Sequence, residues 1–319
     1  MSTIKDVAFK AGVGVSTVSR YLQKKGYVSE EAKNKIEKAI KELDYYPNAM
    51  AQSIRSQKSK TIALIIPSIS NQFFPQLATH IEQCLFKKDY KMILCNTNGS
   101  AEREDKYIDV ILQNRIDGVI SSTGEIPKRL MDQKIPIVSI DRLNTNSNGS
   151  VFSVTANHYL GGEQAANHLI DNGCRRLLCL HGPLDVEPAV LRRRGFVETA
   201  IKRNAHAECI HFESDYDVKG VNERYDGVFT WNDLTAITFV AKCLEKQIDI
   251  PNELQVVGFD DIELLQYYYP KITTIQQPMN QLAQKAVGVL MNRINTDDEL
   301  NTSIVLDTKL VVRDTTKEK

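Results

Sequence analysis

Residues 3–22 read TIKDVAFKAGVGVSTVSRYL, and the apolar spacing in this stretch sets the architecture of the chain's beginning. Ile4, Val7, Ala8 and Ala11 fall at i, i+3, i+4 and i+7, one apolar stripe of a helix. Thr3 is placed to cap that helix, with Asp6 three residues on as in a capping box. Gly12 is placed to stop it. A second stripe of Val15, Val18 and Leu22 follows at once, so the stretch has the helix-turn-helix arrangement. Val15, Ser16 and Arg20 then face outward. An arginine can donate two hydrogen bonds to guanine O6 and N7, and a serine can serve any base. Thr17 and Ser19 carry hydroxyls suited to phosphates, contacts that position without specifying. The plainer reading is a small helical cap whose polar residues meet water.

Working outward, Ser29 starts a third helix that turns Ala32, Ile36, Ala39, Ile40 and Leu43 inward. Tyr46-Pro47 closes it, because a residue before proline is pushed out of the α region. Residues 48–56 could add a small helix capped by Asn48, and a polar linker runs to residue 60. Charge favours the DNA reading. The whole chain of 319 residues holds 40 Lys+Arg and 40 Asp+Glu. Residues 1–60 hold 12 and 6 of these, net +6, which leaves 28 and 34, net −6, for residues 61–319. A basic head on an acidic body is the electrostatic footprint of a nucleic-acid reader.

From Thr61 the texture changes to apolar runs alternating with amphipathic helices. Strands are expected at Ile62–Ile66, Met92–Cys95, Gly118–Ser121, Ile137–Ile140, Leu177–Leu180, Gly227–Thr230 and Gln255–Phe259, with the last around Ile304–Arg313. Such alternation indicates βαβ units and parallel sheets. About 260 residues is long for one open sheet, so two doubly wound α/β lobes are expected. Ligands of such units bind at the carboxyl ends of the strands, in the cleft between lobes. Asp141-Arg142, Asn232-Asp233 and Asp260-Asp261 each follow an expected strand. Any one of them could simply cap a helix; three in parallel favour a site.

Other classes fit poorly. Cys84, Cys95, Cys174, Cys179, Cys209 and Cys243 are scattered, with no C-x-x-C pair, so they read as buried free thiols and no metal is expected. The N-terminus has no signal-peptide apolar region and no run long enough to span a membrane, so a cytoplasmic chain is expected. That goes against a transport-type, non-DNA sugar-binding protein. There is no G-x-S-x-G elbow and no phosphate loop, and Gly12-Val-Gly14 lacks the strand and third glycine of a dinucleotide site. Neither catalysis nor a cofactor is expected.

Thr3-Ile-Lys-Asp-Val-Ala8, Ala11-Gly-Val13, Thr17-Val-Ser-Arg20, Leu22 and Glu42-Leu-Asp-Tyr-Tyr-Pro-Asn48 together resemble the LacI/GalR family of bacterial repressors, and the likeness runs on through the chain. The resemblance implies a helix-turn-helix domain at 1–47, a hinge helix and linker at 48–60, and a two-lobed, periplasmic-binding-protein-like effector and dimerisation domain at 61–319. Lobe 1 would span about 61–158 and 277–307, and lobe 2 about 159–276 and 308–319, with crossings near 158, 277 and 307. It gives Val15, Ser16 and Arg20 base contact, with Thr3, Thr17 and Ser19 beside them on double-stranded operator DNA. Asn48, Ala51 and Ile54 would belong to the hinge, with Ile54 as the minor-groove wedge where the family has leucine. Gly14 stands where the family usually has serine, which weakens a cap.

In the body, Ile69-Ser-Asn-Gln-Phe-Phe74, Asp141-Arg142, Arg192, Asn232-Asp233, Gly258-Phe-Asp-Asp261 and Thr273-Thr-Ile-Gln-Gln277 resemble the family's effector domain. The likeness implies that Asn71, Asp141, Arg192, Asn232, Asp260 and Gln277 meet a sugar effector, while Phe73, Phe74, Tyr216 and Trp231 wall the cleft. The family's aspartate near position 157 is Asn157 here. A homodimer released from a palindromic operator by its effector is the implied mechanism. Lys24-Lys-Gly-Tyr-Val-Ser29, the segment from Ile69 and Cys95-Asn96 look most like sucrose-operon repressors, with ribose-type repressors next. The alternatives within the family are a carbon-catabolite regulator that uses a protein corepressor and a ribose- or purine-type regulator.

Overall fold

Thr3 opens helix α1 (Ile4–Ala11): its side chain accepts the Asp6 N–H, and the Asp6 carboxylate accepts the Thr3 N–H at 2.8 Å, closing a capping box. Gly12 ends the helix at φ 66°, a left-handed conformation that glycine adopts without steric cost. Helix α2 (Val15–Leu22) starts from Gly14 with no side-chain cap, and α3 (Glu30–Glu42) starts from Ser29, whose hydroxyl accepts the Ala32 N–H at 3.3 Å. Val7, Ala8, Ala11, Val18, Val28, Ile36 and Ala39 form the core of the three helices. Tyr21 donates to Glu37 at 2.7 Å and Lys10 pairs with Glu42 at 2.8 Å, tying α2 and α1 to α3.

The computed structural model describes residues 2–23, 26–46, 58–142, 151–213, 215–296 and 303–317. The chain divides into two compact units, Met1–Ser59 and Lys60–Lys319. In the second unit β1 (Thr61–Ile66) is followed by α4 (Phe73–Phe86), β2 (Lys91–Asn96), α5 (Ala101–Gln113), β3 (Gly118–Ser121), α6 (Lys128–Met131), β4 (Ile137–Ile140) and β5 (Phe152–Ala156). Then come α7 (His158–Asp171), β6 (Arg176–His181), α8 (Glu187–Lys202), β7 (His206–His211), α9 (Val221–Arg224), β8 (Gly227–Thr230), α10 (Asp233–Glu245) and β9 (Gln255–Asp260). A 3-10 turn (Glu263–Gln266), β10 (Thr273–Gln276), α11 (Met279–Asn295), β11 (Ile304–Leu306) and β12 (Lys309–Val311) complete it.

Two six-stranded sheets result, in the orders β11-β5-β4-β3-β1-β2 and β12-β10-β9-β8-β6-β7. The pairs within the first are parallel, and only β10–β12 in the second is antiparallel. A parallel strand covered on both faces needs an unbroken apolar run, and Ile62–Ile66 is such a run, buried throughout. The chain passes between sheets three times: from β5 to α7, from β10 to α11, and from β11 to β12. Asn157 ties two of these passages together. Its Oδ1 caps α7 through the Leu160 N–H at 3.1 Å, and its Nδ2 donates to Asp307 at 3.0 Å.

Three strands escape the apolar-run reading: β5, β7 and β10. Thr273 and Thr274 of β10 are fully buried, yet their hydroxyls bond the Arg313 carbonyl at 3.2 Å and Asp233 at 2.5 Å, so polar residues serve as core. Strand β7 is an edge with a mixed sequence, HAECIH, and alternating exposure.

Candidate effector site and DNA-reading face

Asp141 and Asp260 stand where β4 and β9 end, at φ 66° and φ 119°. Both carboxyls are buried. Positive φ is uncommon for a residue with a side chain and concentrates at functional sites; here it turns each carboxyl out of its strand. Between them lies Arg192 of α8, also buried. Its Nη1 lies 3.4 Å from Asp260 and donates to the Trp231 carbonyl at 2.5 Å. Its guanidinium also stacks on the Phe259 ring, 3.6 Å from the centroid.

His158 completes the group. Arg192 Nε donates to His158 Nδ1 at 3.3 Å, and His158 Nε2 lies 3.2 Å from the Asp141 carbonyl oxygen. An acceptor at Nδ1 and a donor at Nε2 define the neutral Nε2–H tautomer. Burial and the neighbouring Arg192 charge hold His158 well below its usual pKa, in keeping with that form. Burial pushes Asp141 up to about 7, against the pull of Arg192 and Arg142. It pushes Asp260 up to about 6, opposed by Arg192 and by the Gln277 amide, which donates to Asp260 at 2.8 Å.

Asp141, Arg192 and Asp260 line a cleft of about 280 Å³ together with Asn71, Phe73, Phe74, Arg142, Trp231 and Asn232. Phe73 and Phe74 meet edge to face, 5.1 Å between centroids, at the start of α4. Asn232 is the cap of α10, its Oδ1 accepting the Thr235 N–H at 2.8 Å, so the plainer reading of this residue holds beside its place in the cleft wall. Among the buried polar atoms without a hydrogen-bond partner are Asp141 Oδ1, which lies 3.5 Å from His158 Nε2, Arg142 Nε and Gln277 Oε1. Such orphans are rare because each forfeits its hydration, and the first two belong to cleft-lining residues.

Two expected residues fall elsewhere. Tyr216 packs its ring against Phe212 and Phe239, 6.1 and 6.4 Å between centroids, because the apolar core under α10 claims it. Gln277 supports Asp260 from behind and borders a separate, more open hollow of about 580 Å³ with Gln276 and Asp261. Sequence reasoning missed His158, Pro67, Ser68, Val186, Pro188 and Leu234. Pro67-Ser68 directly follows β1, so strand-end position could have found these two as it did Asp141-Arg142. Among the described residues no group of three or more His, Cys, Asp or Glu could hold a metal ion, and no helix is long and apolar enough to cross a membrane.

In the N-terminal unit, Val15, Ser16 and Arg20 are exposed along α2, while Thr17 and Ser19 are half-buried. Thr3 is exposed, with its hydroxyl engaged in the capping box. Asn48, Ala51 and Ile54 lie outside the described residues.

Comparison with known proteins adds the family. A model of bacterial regulatory proteins of the lacI family matches residues 3–48, and one of periplasmic binding proteins and the sugar binding domain of the LacI family matches residues 59–215. A periplasmic binding protein-like domain matches residues 166–316. The ribose operon repressor of Halalkalibacterium halodurans is 36% identical over 99% of this chain and 98% of its own. The sucrose operon repressor of Lactococcus lactis subsp. lactis is 35% identical over 93% of this chain and 95% of its own. A crystal structure from Alkaliphilus metalliredigens, a periplasmic binding protein/LacI transcriptional regulator complexed with D-xylulofuranose, matches with a TM-score of 0.75 at 32% identity, covering 81% of this chain and 100% of that one. The chain, a regulator rather than an enzyme, belongs to the LacI family of bacterial regulatory proteins.

Proposed function

We propose that the protein is a homodimeric transcriptional repressor of a sugar-utilisation operon, released from a palindromic operator when a monosaccharide enters the cleft between its lobes. The observation that carries this reading is the buried Asp141–Arg192–Asp260 group, which shares one cleft with Phe73 and Phe74 and holds a carboxyl oxygen with no hydrogen bond. Hydroxyls of a sugar supply donors for such an oxygen and acceptors for Arg142, and a ring's apolar faces suit aromatic walls. A cleft of about 280 Å³ falls at the low end of ligand pockets, which run to roughly 300–1,000 Å³ for drug-sized molecules. Its size favours a five- or six-carbon sugar over the disaccharide sucrose, and the relatives named for ribose accord with that choice.

In this reading residues 1–47 read DNA, 48–60 form hinge and linker, and 61–319 bind effector and pair the protomers. Asp141, Arg192 and Asp260 hold the sugar, and Val15, Ser16 and Arg20 contact bases. Thermal unfolding of residues 61–319 with ribose, xylulose, glucose and sucrose in parallel tests the effector. At a concentration of 100 Kd the true ligand stabilises by about 2.7 kcal/mol. A shift with sucrose alone reverses the size argument, and no shift with any sugar removes the sugar reading.

A further inference from the structure

Strands β6 and β7 are parallel neighbours, and their register sets Cys179 directly opposite Cys209. Residues in register on adjacent strands point to the same face. Both belong to the apolar cluster under α8, with Cys179 buried and Cys209 half-buried on the edge strand. Arg193 of α8 brings a positive charge near the Cys209 sulfur. We propose that Cys209 and Cys179 form a peroxide-sensitive thiol pair, with Cys209 as the attacking thiolate and Cys179 as the resolving thiol.

Three features set this pair apart from the other four cysteines. The adjacent Cys179 thiol and the positive charge of Arg193 both favour the Cys209 thiolate. Cys209 is accordingly drawn down to about 6, whereas burial pushes Cys95 up to about 11 and Cys243 up to about 12. Cys209 lies on the edge strand and is half-buried, nearer to solvent than the buried Cys179. The resolving partner is already on the adjacent strand, within the Cα range that a disulfide spans after modest adjustment.

The chemistry balances with a hydroperoxide as oxidant. The Cys209 thiolate attacks one peroxide oxygen; the S–O bond forms, the O–O bond breaks, and the departing hydroxide takes a proton to leave as water. Sulfur is oxidised by two electrons and the peroxide is reduced. Cys179 then attacks the sulfenic sulfur as it gives up its proton, the S–S bond forms, and the hydroxyl leaves as a second water.

The test uses the full chain, treated with hydrogen peroxide, then alkylated and digested for mass spectrometry. The expected product is one peptide pair joined through Cys179 and Cys209, lost on treatment with dithiothreitol. In C179S, dimedone is expected to trap a sulfenic acid at Cys209 instead; in C209S neither product forms. In the untreated protein, iodoacetamide should modify Cys209 at a lower pH than Cys84, a readout that needs no variant. The proposal is overturned if Cys209 alkylates with the pH profile of Cys84, or if peroxide joins Cys209 to a different cysteine.

Discussion

Asp141 is the residue on which effector binding should turn, because its carboxyl is buried and one oxygen has no hydrogen bond. Its pKa of about 7 lies above the unfolded value of about 3.9. Between those values the folded protein therefore holds a proton that the unfolded chain has released. The stabilising effect is full below pH 4 and is lost as pH rises through 7, so the free protein should grow less stable over that window. A sugar hydroxyl that donates to the carboxylate favours the charged form, so effector affinity should move the other way. We expect the effector Kd to fall several-fold between pH 6 and pH 8, measured by titration calorimetry with proton release. In Asp141→Asn the dependence should flatten; a wild-type Kd unchanged over that range would show that the carboxyl does not meet the ligand. At the other end of the chain, Arg20 is exposed on α2, and no ion pair holds its guanidinium among the described residues. Arg20→Ala should cost about 1–3 kcal/mol and relax preference at one base pair. A uniform loss across operator variants, read by binding competition, would place Arg20 on a phosphate instead.

Helices α7 and α8 hold Arg192 against the two aspartates, and glycines set how closely they approach. A Cβ on Gly162 would stand 2.0 Å from the Arg192 carbonyl oxygen, and one on Gly195 would stand 2.0 Å from that of Tyr159. Gly162→Ala should therefore destabilise by about 1–3 kcal/mol despite alanine's higher helix propensity. Gly288, in α11, has nothing within 4 Å of a built Cβ, so Gly288→Ala should stabilise by about 0.5–1 kcal/mol. Urea titration of the two variants checks the opposite signs; a Gly162→Ala protein as stable as the parent would refute the close approach. The sequence makes such features legible unevenly. Strands with unbroken apolar runs, such as Ile62–Ile66, and helices with capping signals, such as Thr3 and Ser29, announce themselves locally. Asp141 and Asp260 were legible because a carboxyl after a strand end is a local pattern. His158 was not, since its tautomer and its bond to Arg192 depend on residues 34 positions apart. Tyr216 was misplaced for the complementary reason: an aromatic in a loop looks the same whether it walls a cleft or fills the core.

At the scale of the whole molecule, the zero net charge is a balance between a head of +6 and a body of −6. DNA affinity drawn from the head's cations should be screened by salt, while an acidic body adds repulsion from the phosphates. The effector then needs only to weaken an attraction already opposed by the rest of the chain. If it does so by shifting the protein between two states, the two ligands share one coupling free energy. Operator DNA must weaken effector binding by the same factor by which effector weakens operator binding. A coupling of about 1–3 kcal/mol, the usual range, corresponds to about 5- to 150-fold in each direction. We expect equal factors from operator titrations at saturating sugar and sugar titrations at saturating operator, at one ionic strength. Substituting Asp260→Ala should remove the sugar's effect on operator affinity while leaving operator affinity itself in place, because the altered group lines the proposed effector cleft. Loss of both activities in that variant would indicate misfolding. Unequal factors in the parent protein would mean that the sugar does not act through a shared pair of states.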